Sequence, residues 1–230
     1  MLKKIALLAA LVITPTVASA LTVGPNSITG NLYPIGTKTY FDTGAEKVTL
    51  NDLTDLTSAA MLILENAGYA STNKFGIYDL VTGNTLQVFA GTQSPDSFNS
   101  ATLKWLLDTN TNAWTVTNLL TNVSSQIGTT FGFYIDSNGD SNNRYFSESG
   151  KNTGNIDYFK LYDTRDHLID GIGASDVVLG IEDVRGGDGD YNDMVVGVND
   201  VVPTPEPGTM MLLGAGFLGL AIYGKRRKNA

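Results

Sequence analysis

The chain has 230 residues, no cysteine and a formal net charge of −8. The absence of cysteine excludes disulfide bonds, thiolate metal sites and thiol nucleophiles, and the negative charge argues against electrostatic binding to nucleic acid or to an anionic membrane surface. Residues 21–204 are more acidic than the whole, with nine basic against 22 acidic residues and a net charge of −13. We therefore expect the body of the protein to prefer cations.

The N-terminus has the three parts of a secretory signal peptide. Lys3 and Lys4 precede a nine-residue apolar stretch, Ile5–Ile13, and the small residues Ala18 and Ala20 follow with Ser19 between them. An apolar stretch this short, closed by a small-residue triplet, favours cleavage over a permanent span. We predict a signal peptide over residues 1–20, exported by the Sec machinery and removed by signal peptidase after Ala20.

Residues 21–202 are predicted to form a single all-β domain with a β-sandwich or jelly-roll-like fold. Short segments rich in apolar, aromatic and β-branched residues alternate with turns rich in Gly and Asn, which is typical of such folds. The first segment, AAMLILE, is short enough to be a buried helix or a buried strand, and we interpret it as a strand because of its neighbours. The predicted strands are AAMLILE, KFGIYDLV, TLQVFAG, TLKWLLD, AWTVTN and TTFGFYID.

Two tryptophans flank the predicted TNTN turn of a hairpin. Trp105 and Trp114 have two alternative roles, as core residues or as an exposed platform on which a sugar ring stacks. The second role requires both rings to be exposed and coplanar. It would make the domain a glycan-binding module.

Two pairs of similar segments support a sheet structure. KFGIYDLVTGN (74–84) resembles TFGFYIDSNGD (130–140), and DVVLGIEDV (176–184) resembles DMVVGVNDV (193–201). The second pair predicts a hairpin across the loop VRGGDGDYN. Gly180 and Gly197 interrupt its two strands, where a bulge or a close backbone approach is expected.

The upstream acidic loop, DSNGDSNNRYFSES, starts at residue 136. Asp136, Asn138 and Asp140 have the alternate spacing that opens an EF-hand calcium loop, but Ser141 replaces the glycine and Ser147 replaces the bidentate glutamate. The flanking segment also reads as a strand. The loop is therefore not an EF-hand, and two alternatives remain, a calcium loop on a β-scaffold or a solvated Asn-Gly turn.

The downstream acidic loop contains five carboxylates within twelve residues, with Arg185 as the only opposing charge. Two carboxylates about 5 Å apart repel by roughly 3 kcal/mol at an effective dielectric near 20, so the cluster must turn outward or share a cation. Hard oxygen donors at this density suit Ca²⁺ better than Mg²⁺. The predicted calcium ligands here are Glu182, Asp183, Asp188, Asp190, Asn192 and Asp193.

A family resemblance spans both loops. FGFYIDSNGD, followed some forty residues later by VVLGIEDVRGGDGDYNDMVVGV, resembles the bacterial domain-of-unknown-function family 4114 over residues 130–198. The resemblance implies a domain of secreted and surface proteins, often placed beside adhesive or matrix modules. It implies no activity.

The C-terminus contains an apolar run that is short for a membrane anchor. Residues 209–223 carry no charge, and fifteen helical residues cover roughly 22 Å against a hydrocarbon core of about 30 Å. Lys225, Arg226, Arg227 and Lys228 follow, and a basic cluster stays cytoplasmic. The run predicts a marginal span whose preceding residues face outward.

The order of these elements is specific. Pro205-Glu206-Pro207, an apolar Gly- and Leu-rich helix and a basic cluster resemble a PEP-CTERM sorting signal over residues 203–230. The resemblance implies a Gram-negative bacterium that makes exopolysaccharide. It also implies that a membrane protease, exosortase, cuts near Pro-Glu-Pro and releases the protein outward after transient insertion in the inner membrane.

The sequence argues against catalysis. His167 is the only histidine, so a nucleophile–His–acid triad would have to use a residue between charged neighbours. Paired carboxylates could serve a glycan hydrolase, but here they cluster in glycine-rich turns. We predict a non-enzymatic matrix or surface protein, associated with exopolysaccharide and biofilm, whose acidic loops bind calcium. A glycan-binding module and a glycan hydrolase are the alternatives.

Overall fold

The computed structural model describes residues 43–51, 53, 56–65, 69, 71–92, 100–165, 168–169, 173–189, 191–204 and 214–218. Among these residues, 3₁₀ turns lie at Ser137–Gly139, Ser141–Asn143 and Ser149–Lys151. The strands are β1 (Val48–Leu50), β2 (Thr57–Glu65), β3 (Lys74–Asp79), β4 (Thr85–Phe89), β5 (Ser100–Asp108), β6 (Ala113–Asn118), β7 (Val123–Ser125), β8 (Thr130–Asp136), β9 (Arg144–Phe146), β10 (Phe159–Asp163), β11 (Leu168–Ile169), β12 (Gly173–Ala174), β13 (Val177–Ile181), β14 (Met194–Asn199) and β15 (Val201–Pro203).

The strands form two large antiparallel sheets, which confirms the predicted all-β class. The first sheet has the order β15-β1-β8-β3-β4, with β9 paired to β8. The second has the order β10-β13-β14-β2-β5-β6-β7, and β11 pairs with β12 separately. All six predicted strands are present, and AAMLILE lies within strand β2.

One hydrophobic core joins the two sheets, in the two-layered arrangement expected of a β-sandwich. Strand β5 alternates strictly, so Ala101, Leu103 and Trp105 are buried while the residues between them are exposed. The Trp105 ring stacks on Phe131 of the opposite sheet, with ring centroids 5.3 Å apart. Burial of such aromatic and aliphatic side chains is the main force holding the layers together.

The first pair of similar segments forms the centre of one sheet. Strands β3 and β8 pair directly, with Gly76 opposite Tyr134 and Tyr78 opposite Gly132. Each tyrosine ring lies over the glycine of the other strand, and a Cβ added at either glycine would overlap that ring. The repeated Phe-Gly-x-Tyr pattern thus encodes two symmetric contacts in which a ring covers a glycine.

The second pair of similar segments forms the predicted hairpin. Strands β13 and β14 pair in continuous register from Val177 opposite Val198 to Gly180 opposite Val195. Of the two alternatives expected at Gly180 and Gly197, a bulge does not occur between these two strands. The register shift in β14 lies between Val195 and Val196, against β2 on its other side.

The open edge of β4 is covered by a side chain of the second sheet. Asn118, at the end of β6, is fully buried, and its Nδ2 donates to the carbonyl oxygens of Gln87 and Val88 at 3.0 and 3.2 Å. Asn84 makes a similar bond to the carbonyl of Gln126. These bonds join the edges of the two sheets where β4 and β7 approach each other.

The predicted targeting segments lie almost wholly outside the described residues. This applies to the signal peptide with Ala18 and Ala20, to Pro205-Glu206-Pro207, and to Arg226 and Arg227. Within the predicted helix over 209–223, residues 214–218 are helical. Over the described part of the chain, the structure has no helix both long and apolar enough to cross a membrane.

Candidate functional site

The downstream acidic loop joins two neighbouring strand ends in the second sheet, the end of β13 and the start of β14. Glu182 and Asp183 directly follow β13, and Asp193 directly precedes β14, so the hairpin brings their backbones together. Glu182 and Asp183 are buried. The backbone N–H of Asp183 donates to Oδ2 of Asp193 at 3.0 Å, and the N–H of Tyr191 donates to Oε1 of Glu182 at 2.7 Å.

The three carboxylates share one electrostatic environment. Burial first, and then the negative charges of Asp183 and Glu182, raise the pKa of Asp193 to about 7, although the Asp183 N–H stabilises its charged form. A carboxylate raised this far holds a proton where an ordinary aspartate has lost it. Negative charge is therefore concentrated where β13 ends and β14 begins, and it favours the binding of a proton or a cation there.

The glycines of the loop are required by this arrangement. A Cβ at Gly187 would overlap the carboxylate of Glu182, so no other residue fits there without displacing the acid. Gly186 has a φ of +78°, a conformation that glycine adopts without strain. Glycine at position 187 is therefore needed because the Glu182 side chain points inward against it.

A buried asparagine connects the two acidic loops. Asn73, which is 0% exposed, donates from Nδ2 to Oδ2 of Asp183 at 2.8 Å and accepts at Oδ1 from the N–H of Asn138 at 3.0 Å. Its role could not be predicted from the sequence, because Asn73 ends the segment STN directly before a strand and reads there as an ordinary turn residue. Its importance depends on tertiary contacts 110 and 65 residues away.

The upstream loop uses its oxygens for bonds within the protein. Asp136 accepts two hydrogen bonds from Arg144, from Nε to Oδ1 at 2.6 Å and from Nη2 to Oδ2 at 2.8 Å. Asn138 accepts at Oδ1 from Thr72, and Asp140 accepts at Oδ1 from the backbone and side chain of Asn142. Each of the three predicted ligands thus faces a different protein donor, and Arg144 neutralises the most buried of them. The loop therefore forms a hydrogen-bonded turn, and calcium in it remains a prediction, as does the alternative of a solvated Asn-Gly turn.

The described residues contain no group of three or more His, Asp or Glu side chains arranged to hold a metal ion. Asp190, a predicted ligand at the centre of the downstream loop, lies outside those residues, as does His167. Asp188 is exposed at the tip of the loop, and Asn192 is buried beside β13. Calcium in the downstream loop therefore remains a prediction.

The sugar-stacking platform is wrong, because it requires both tryptophans to be exposed. Trp105 is 0% exposed, and its Nε1 donates to the carbonyl of Gly128. Trp114 is only partly buried but packs against the same core. Both residues lie on the inner face of the β5–β6 hairpin, which agrees with the core alternative.

The raised pKa of Asp193 predicts a pH dependence of stability in the presence of a chelator. The folded protein binds more protons than the unfolded chain between pH 3.8 and about 7, so stability from this group is present at low pH and lost as the pH rises. We expect the free energy of unfolding to fall by about 1 kcal/mol between pH 5 and pH 8. The change is small because Asp193 is only half-buried and solvent screens its charge. Urea unfolding at both pH values measures it.

Asp193→Asn is the matched control, since an amide oxygen still accepts from the Asp183 N–H but cannot titrate. The variant should lose less stability over this range than the parent. Equal losses in parent and variant would contradict the assignment to Asp193.

The fold and these loops define a class of protein. It is an all-β domain in which buried amides and carboxylates bond the acidic loops to the ends of the strands. Comparison with protein families then gives two matches. Residues 126–200 match the family described as Domain of unknown function (DUF4114), and residues 203–228 match the PEP-CTERM protein-sorting motif. Both predicted resemblances are confirmed. The sorting motif supports an exported protein that is processed by exosortase and directed toward the cell surface. Comparisons with the curated proteins and with the solved structures find no match.

Proposed function

We propose that the exported domain is a non-catalytic structural component of the cell surface or extracellular matrix, associated with exopolysaccharide in a biofilm, and that calcium stabilises its downstream acidic loop. The observation that carries this proposal is the inward use of the loop acids. Glu182 and Asp183, at 5% and 3% exposure, bond to the protein's own backbone and to Asn73 instead of lining an open cleft.

The same burial argues against a glycan hydrolase. Such an enzyme needs two carboxylates about 5–9 Å apart on either side of an accessible glycosidic bond. Glu182 and Asp183 are not accessible to a polysaccharide, and Asp136 is engaged by both donors of Arg144. A domain whose acids are bonded internally suits a structural role in a matrix.

Calcium fits the chemistry of the downstream loop. Its donors are all hard oxygens, and three of the carboxylates lie where β13 ends and β14 begins. Glu182, Asp183 and Asp193 would hold the ion only together with Asp188, Asp190 and the amide oxygen of Asn192, because the described carboxylates alone are not arranged as a metal site. A bound cation supplies the positive charge that otherwise only protonation of Asp193 provides.

Calcium is tested by thermal unfolding of the exported domain after chelation. We expect millimolar Ca²⁺ to raise the melting temperature by several degrees, because a ligand that binds only the folded state stabilises it. Asp190→Ala with Asp193→Ala should abolish the increase, and the control Asp108→Ala, in the exposed β5–β6 turn, should retain it. An unchanged parent melting temperature would remove calcium from the proposal.

The matrix role is tested in the producing cells. Deleting the gene should weaken the extracellular matrix without changing the amount of polysaccharide, and the processed domain should be recovered in the matrix fraction of the parent strain. Recovery of the domain only in the periplasm would contradict the proposal. Altered chain length of the polysaccharide in the deletion strain would favour a glycan-active role instead.

A further inference from the structure

The last strand of the domain runs directly into the sorting motif. Strand β15 pairs with β1, with Val201 opposite Leu50, Val202 opposite Thr49 and Pro203 opposite Val48. The motif match begins at residue 203, so its first residue is also the last residue of the strand. Folding and sorting therefore use the same backbone at this point.

The pairing continues one residue beyond the strand. The N–H of Thr204 donates to the carbonyl of Lys47 at 2.9 Å, and its hydroxyl bonds that of Thr49, which in turn bonds Thr130 of β8 at 2.8 Å. Val201 is fully buried in the core. The chain is thus held by both backbone and side chain as far as the residue immediately before Pro205.

Little chain separates the sheet from the predicted apolar run. Only Pro205, Glu206, Pro207 and Gly208 lie between Thr204 and Thr209. Five residue steps span at most about 18 Å when fully extended. A membrane protease that acts on this element must therefore work directly beside the folded domain.

A protease that binds its substrate as an extended strand uses main-chain hydrogen bonds, so the N–H and C=O groups of the bound segment must be free. Residues on the N-terminal side of Pro-Glu-Pro are those already bonded to β1. We propose that β15 is a release strand, which has to separate from β1 before the processing protease can cut the chain. The β1–β15 pairing then sets the rate at which the folded protein leaves the membrane. This inference rests on sorting by exosortase.

An engineered disulfide tests the proposal in the full-length chain. Thr204 donates to β1, so alternation makes Thr49 and Val202 a hydrogen-bonded antiparallel pair, with Cα atoms about 5.5 Å apart and within disulfide range. The chain has no other cysteine, so Thr49→Cys with Val202→Cys gives one defined crosslink. The matched control is Thr49→Ser with Val202→Ser.

In membranes that contain the protease, we expect the oxidised crosslinked precursor to be processed at least tenfold more slowly than the serine control, and reductant to restore the rate. Inserting Gly-Ser-Gly-Ser-Gly-Ser between Thr204 and Pro205 should accelerate processing and should also rescue the crosslinked form. Equal rates for the crosslinked and serine precursors, or no effect of the insertion, would contradict the proposal that β15 must separate from β1 before cleavage. A parent chain that is never processed would contradict the sorting itself.

Discussion

Replacing Pro205-Glu206-Pro207 with three alanines is expected to leave the chain at its unprocessed C-terminal length and held in the inner membrane. The sorting motif covers residues 203–228, and this element is the part outside the predicted helix and basic cluster that distinguishes it from a plain tail anchor. Mass spectrometry of the protein from fractionated cells measures the result. The parent should lack Lys225–Lys228, and the variant should keep them.

The control is Asn229→Ala, which changes the tail one residue beyond the matched motif. It should be processed like the parent. The same mature mass with and without Pro-Glu-Pro would show that the element is not read, and the short apolar run would then be a simple anchor.

Asn73→Ala is expected to lower the free energy of unfolding by about 2–4 kcal/mol. The substitution removes a donor from the buried Asp183 carboxylate, which costs about 1–3 kcal/mol and more for a charged group, and an acceptor from the N–H of the exposed Asn138, which adds less. Because Asn73 joins both acidic loops, hydrogen exchange should increase in both at once. Urea unfolding with amide exchange measures the two effects.

Asn84→Ala is the matched control, since this exposed asparagine makes a single bond from Nδ2 to the carbonyl of Gln126. It should cost no more than about 1 kcal/mol. A small loss in Asn73→Ala, or exchange that rises in one loop only, would contradict the role of Asn73 as the connection between the loops.

The strands were predictable because local patterns determine them. In the segment around TLKWLLD, apolar and polar residues alternate with period two, and this alternation directs Trp105 inward with Ala101 and Leu103. The hairpin of β13 and β14 followed from two similar apolar segments joined by a turn-forming loop. In both cases neighbours in sequence are also neighbours in space.

The site was less predictable because its bonds are formed between distant segments. Nothing near Asn73 indicates that it faces Asp183, 110 residues away. The acidic spacing of the upstream loop left calcium and a solvated turn as alternatives and did not reveal that Arg144, eight residues after Asp136, bonds to that carboxylate. The basic side chain of Arg144 was visible in the sequence. Rules based only on the spacing of metal ligands do not take such a basic residue into account.

The amide of Asn118 has a consequence for aggregation through the edge of the first sheet. An unpaired strand edge is a template on which identical chains add in register and grow into fibres. Two carbonyls of β4 are already occupied by Asn118, so a neighbouring copy would have to displace a buried amide before it could add there. Crowded copies of this domain are thereby kept from polymerising through β4.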